Sequence, residues 1–144
     1  MPSRDATTRW TGGLQEGKGE VTFDSSNLGT YTVSFPTRAG DPDGQTSPEE
    51  LIAAAHSSCL AMNLSGVLES QQLEAESIDV SAEVTLGPAQ GGGFEISGIA
   101  ITLRAKLAGV TAEQFAELAE TAEKTCPVSK ALSGTTITLD AALA

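Results

Sequence analysis

Aromatic side chains are scarce in this sequence, with one Trp, one Tyr and four Phe in 144 residues. A core of stacked rings is therefore excluded, and aliphatic residues and alanine must fill it. Histidine occurs once and cysteine twice. With no Cys-x-x-Cys pair and a single imidazole, a metal site is not expected, and neither is another cofactor. Positive charge is short too: eight Lys and Arg stand against nineteen Asp and Glu, a net charge of −11. Phosphate backbones would be repelled, so nucleic acid is not an expected partner. There is no uninterrupted apolar run of about 18 residues, so no transmembrane helix and no membrane partner are expected. The opening residues, MPSRDATTRW, lack the apolar stretch of a signal peptide, which points to a cytoplasmic location. The length suits one domain, residues 1–144, able to bury its own core.

What the chain does have is a stretch from Thr46 to Gln71 that reads as one long helix. Ser47 suits the N-cap, Pro48 the first helical position, and Glu50 completes a Ser-x-x-Glu capping box. Beyond Glu50 the residues are apolar or small nearly all round, from Leu51 to Leu68. A helix with no wide polar face is usually covered on several sides. In a domain this small, that predicts a partner subunit. Cys59 lies in the middle of this helix, and Cys126 stands before Pro127 at the start of a short helix. Two thiols in a reducing compartment are more often redox groups than a structural staple.

The remaining chain reads as alternating strands and turns. Thr7–Trp10, Gly19–Phe23 and a segment with Tyr31, Val33 and Phe35 on one face predict three N-terminal strands. Pro36 to Gln45 reads as a polar loop carrying Arg38. Ile78 to Leu86 alternates cleanly, and Phe94 to Leu107 returns as its partner with a change of parity that predicts a bulge near Gly98. Thr111 and Gln114 frame a capping box for a second helix, a short third helix covers Pro127 to Leu132, and Thr135 to Asp140 closes as a strand. The order β-β-β-α-β-β-α-α-β is an α+β pattern.

Two motifs carry a resemblance. Pro-Glu-Glu-Leu-Ile-Ala-Ala-Ala-His-Ser-Ser-Cys ends at Cys59, and Cys-Pro-Val-Ser-Lys-Ala-Leu begins at Cys126. Together, in this order and in a chain of this length, they resemble the OsmC/Ohr family of thiol-dependent peroxidases. Leu14 after Thr11-Gly12-Gly13, where the Ohr branch carries an arginine, and the Ala-His-Ser-Ser-Cys run favour the OsmC branch. The resemblance implies an intertwined homodimer, with antiparallel sheets wrapped round two central cysteine-bearing helices. It also implies reduction of organic hydroperoxides, and less efficiently of hydrogen peroxide, with Cys59 peroxidatic and Cys126 resolving through a Cys59–Cys126 disulfide. Arg38 and Glu49 complete the site by the same match, and a dithiol reductant, such as one of the lipoyl type, restores it. Chemistry alone leaves the order of the cysteines open, because the helix start beside Cys126 would also favour a thiolate.

Glu49 and Cys59 are ten residues apart, about 15 Å along a straight helix. Either the helix breaks near Ala53 to Ala55, or Arg38 spans the gap, or the Glu49 that serves a given Cys59 belongs to another chain. Two other readings compete with the peroxidase: a Cys59–His56 hydrolase, since His56 lies three residues before Cys59 on one face, and a dimeric module binding lipophilic small molecules.

Overall fold

The computed structural model describes all of residues 1–144. The chain forms two compact units, Met1–Leu51 and Ile52–Ala144. In the first, β1 (Thr7–Thr11), β2 (Lys18–Thr22) and β3 (Thr30–Val33) make an antiparallel sheet in that order. The β1–β2 connection closes on Gly17, where a Cβ would collide with the Gly13 carbonyl oxygen. Trp10 lies over that turn and donates from its indole nitrogen to the Gly12 carbonyl at 2.9 Å.

Two expectations fail just after this sheet. Phe35 does not extend β3, and Arg38 is not in a loop: both belong to a short helix, α1 (Phe35–Ala39). Ser34 caps it, accepting from the Thr37 amide at 3.4 Å, and Pro36 sits in its first turn, where the missing N–H costs nothing. The alternation of Tyr31, Val33 and Phe35 ran through a cap that the pattern did not reveal.

The helix α2 (Pro48–Ser70) is unbroken through Ala53 to Ala55, which removes a break there as an explanation for the Glu49–Cys59 spacing. Its start is half of the expected capping box. Ser47 accepts from the Glu50 amide at 3.1 Å, but the Glu50 carboxylate turns to the Thr46 hydroxyl at 2.6 Å. By length and composition α2 suffices to cross a bilayer, with a mean hydropathy of 1.4 over its most apolar window. A count of uninterrupted apolar residues missed this because Ser57, Ser58, Asn63 and Ser65 interrupt the run.

In the second unit, His56, Leu60, Leu64 and Leu68 recur every four residues and form the buried edge of α2. Leu60, Leu64 and Leu68 share a core with Ile99, Ile101, Leu103 and Ala105 of β5 (Phe94–Lys106) and with Phe115, Ala119 and Ala122 of α3 (Ala112–Thr125). β4 (Ser77–Pro88) pairs antiparallel with β5, and the register shifts between Thr85 and Leu86. Thr85 faces Gly98 and Leu86 faces Ile96, so Ser97 is the extra residue of the bulge expected near Gly98. The bulge brings Ile99, Ile101, Leu103 and Ala105 to the core face.

The sheet is not purely antiparallel. β6 (Ile137–Leu143) runs parallel to β5, because α3 and α4 (Pro127–Ala131) form the crossover that a parallel neighbour requires. Thr111 and Gln114 make the reciprocal box at the start of α3, with bonds of 3.1 and 2.9 Å.

Candidate active site

Cys126 is the hinge residue between α3 and α4. It is the C-cap of the first and the N-cap of the second, with an extended backbone that suits a residue before proline. Its thiol is fully buried. Cys59, three full turns along α2, is only partly buried, and the two sulfurs lie 3.4 Å apart as free thiols. They come from positions 67 residues apart in sequence. Asn63, one turn beyond Cys59, fixes this meeting. Its side-chain amide donates to the Ala122 carbonyl at 2.6 Å and the Thr125 hydroxyl at 2.8 Å, tying α2 to the last turn of α3. Sequence reading missed Asn63, since a lone amide on an apolar helix signals nothing until its partner is known.

The thiols sit in different electrostatic surroundings. Burial pushes the Cys59 thiol above its ordinary range, the Val128 amide opposing it and the neighbouring Cys126 adding to the rise. Burial acts on Cys126 in the same direction, yet the polar influence of the Ser129 amide and hydroxyl, of Cys59 and of the Val128 amide together brings it below its ordinary value. Cys126 is thus the more acidic thiol and Cys59 the more reachable one.

His56 makes no hydrogen bond to Cys59. Its Nε2 is 2.7 Å from the Ser129 hydroxyl, with both residues buried. A Cys59–His56 nucleophile pair, the basis of the hydrolase reading, is not formed. Ser129 was visible in the sequence only as part of the Cys-Pro-Val-Ser motif.

In the first unit, Arg38 and Glu49 form a close side-on pair. Nη2 reaches one carboxylate oxygen at 2.8 Å, and Nε lies 3.1 Å from both. Glu49 is nearly buried and Arg38 is about one-third exposed, at 10% and 34% of their side-chain surfaces. The pair occupies one edge of the guanidinium and leaves Nη1 open to another acceptor. Beside it is a mainly apolar cavity of about 210 Å³, lined by Trp10, Leu14, Val33, Phe35, Arg38 and Pro48 among others. Leu60 is sealed in the core and Met62 is 68% exposed, so neither lines this cavity.

The family model for OsmC-like proteins matches residues 40–140. The chain is 38% identical over 131 residues to peroxiredoxin OsmC of Escherichia coli, covering 91% of this chain and 90% of that protein. It is 32% identical over 137 residues to the organic hydroperoxide resistance protein OhrA of Bacillus subtilis, covering 93% and 92%. Among solved structures, an organic hydroperoxide resistance protein from Elizabethkingia anophelis superposes with a TM-score of 0.77 at 29% identity, over 100% of this chain and 98% of that one. In sequence and in fold, the chain belongs to the OsmC-like protein family.

Proposed function

We propose that this protein, acting as one domain over residues 1–144, is a thiol-dependent peroxidase that reduces organic hydroperoxides and, less efficiently, hydrogen peroxide. The observation that carries this reading is the pair of free thiols 3.4 Å apart, one partly accessible and one sealed. A peroxide can meet only the accessible sulfur. The Cys59 thiolate attacks one peroxide oxygen, the O–O bond breaks, and the alkoxide leaves and is protonated to the alcohol. Cys59 is left as a sulfenic acid, and Cys126 condenses with it to give the disulfide and water. An external dithiol, such as one of the lipoyl type, then reduces the disulfide.

Cys59 needs a cation, because its surroundings within the chain hold its thiol up. Arg38, locked by Glu49, is the candidate. Arginine keeps its charge when partly buried, and its free Nη1 edge can donate to the peroxide oxygens as charge develops on them. With α2 unbroken, we assign this pair to the Cys59 of a second copy in a homodimer. The outward face of α2 supports the assignment, for Ala54, Ala55, Ser58, Met62, Ser65 and Gly66 are exposed there. Met62 apart, these residues are small and would let a second helix approach closely. The cavity beside Arg38 is the place for an organic tail. A cytoplasmic, cofactor-free enzyme is the corresponding expectation.

The test is intact mass and thiol count after one equivalent of an organic hydroperoxide. Wild type should lose both thiols to an internal disulfide. Cys126→Ser should stop at a Cys59 sulfenic acid that a dimedone-type probe captures. Two unreacted thiols after long exposure would sink the peroxidase reading and favour a small-molecule binding module.

A further inference from the structure

His56 is fully buried on α2, and Ser129 gives it its one hydrogen bond. The second ring nitrogen, Nδ1, is sealed away with no partner. Burial holds the imidazole below its ordinary pKa, and the Glu123 carboxylate opposes this only in part. The ring is therefore neutral near pH 7 and carries one hydrogen. Orphaned buried N–H groups are the rarer kind of unpaired polar group. The hydrogen accordingly belongs on Nε2, and Nδ1 is a bare lone pair. Nε2–H then donates to the Ser129 oxygen, so the single hydrogen of that hydroxyl must point elsewhere. Ser129 is the third residue of α4 and Cys126 is the N-cap of that helix, so the Cys126 sulfur is the acceptor at hand, and Ser129 is among the groups that lower the Cys126 thiol.

We infer that His56 is a positioning residue for Cys126: by donating to Ser129 it turns the serine hydroxyl into a fixed hydrogen-bond donor to the resolving sulfur. The inference rests on the peroxidase reading above. The other titratable groups round this chain of bonds are Cys59 on α2 and Glu123 on α3, and Lys124 and Lys130 line the cleft that Ser129 opens onto.

The arrangement serves both halves of the cycle. In resolution, the Cys126 thiolate attacks the Cys59 sulfenic sulfur. The S–S bond forms, the S–O bond breaks, and hydroxide leaves and takes a proton from solvent to replace the one Cys126 gave up. One water is the net loss. In recovery, a thiolate of the external dithiol attacks the more accessible Cys59 sulfur and Cys126 leaves. A leaving thiol of lower pKa departs faster, so the bond that arms Cys126 for attack also eases its release. The second thiol of the reductant then displaces Cys59.

The test is a thiolate titration by ultraviolet absorbance on the full chain carrying Cys59→Ser, in which Cys126 is the one thiol and no peroxide is involved. Adding Ser129→Ala or His56→Leu should move the Cys126 midpoint alkaline by about one unit. Adding His56→Gln, whose amide keeps a donor near the Nε2 position, should hold it near the starting value, and this variant serves if the leucine variant does not fold. In the two-cysteine enzyme, disulfide formation should slow about tenfold near neutral pH with Ser129→Ala and recover as the pH rises. A midpoint unmoved by Ser129→Ala, or moved equally by His56→Leu and His56→Gln, overturns the inference. If the midpoints shift as expected while hydroperoxide leaves both wild-type thiols intact, the hydrogen-bond chain stands and the peroxidase reading falls.

Discussion

Cys59→Ser should reduce hydroperoxide turnover by at least about 10³-fold, to the level of the uncatalysed reaction with the added dithiol. The reason is the division of labour between the two sulfurs. Cys126 is the more acidic thiol, but it is sealed in the core and no peroxide can reach it. Removing Cys59 therefore leaves no second nucleophile to substitute. The packing should tolerate the change, since oxygen for sulfur at a partly buried site removes little volume. The melting temperature should fall by no more than a few degrees, corresponding to about 1 kcal/mol. Stopped-flow turnover with an organic hydroperoxide and a dithiol measures the first effect, and a thermal melt measures the second. Substantial residual turnover in Cys59→Ser would mean that the accessible sulfur is not the one that meets the peroxide.

Arg38→Met should lower turnover by about 10² to 10³-fold, the range for removing one donor that stabilises charge in a transition state. Methionine keeps much of the stem's bulk and removes the charge and every donor. The sign of the pH effect is fixed. A nearby cation favours the thiolate and lowers the Cys59 pKa. Without it, the thiol reverts toward the raised value that its own surroundings impose, and the acidic limb of the pH–rate profile moves to higher pH. Arg38→Lys should recover little, since an ammonium cannot hold Glu49 side-on while offering a second donor edge. Turnover of Arg38→Met across a pH series decides the matter. An unchanged acidic limb would remove Arg38 from the site.

The thiols and the ion pair were legible in the sequence to different degrees. Cys59 and Cys126 announced themselves by rarity and by their flanking motifs. Their contact did not, because it depends on the crossover that brings the end of α3 to the middle of α2. The strand parity of Phe94 to Leu107 revealed the bulge at Ser97, since a period of two makes any slip visible. The same alternation misled at Phe35. Ser34 capped a helix of only five residues there, too short to show a period of its own. Asn63 was unreadable and Ser129 showed only as a member of its motif, because each acts through a partner more than fifty residues away.

The separation of the two thiols along the chain has a thermodynamic side. A bond between Cys59 and Cys126 would close a loop of 67 residues in the unfolded chain, a constraint worth about 4 kcal/mol in the loop-entropy model. The sulfurs are already in contact in the folded state, so closing the bond requires only a small movement there. Each turnover would then tie and untie the chain's topology with little change of shape. The oxidised molecule would be the more heat-resistant one, and a population caught under peroxide stress would be at its hardest to unfold.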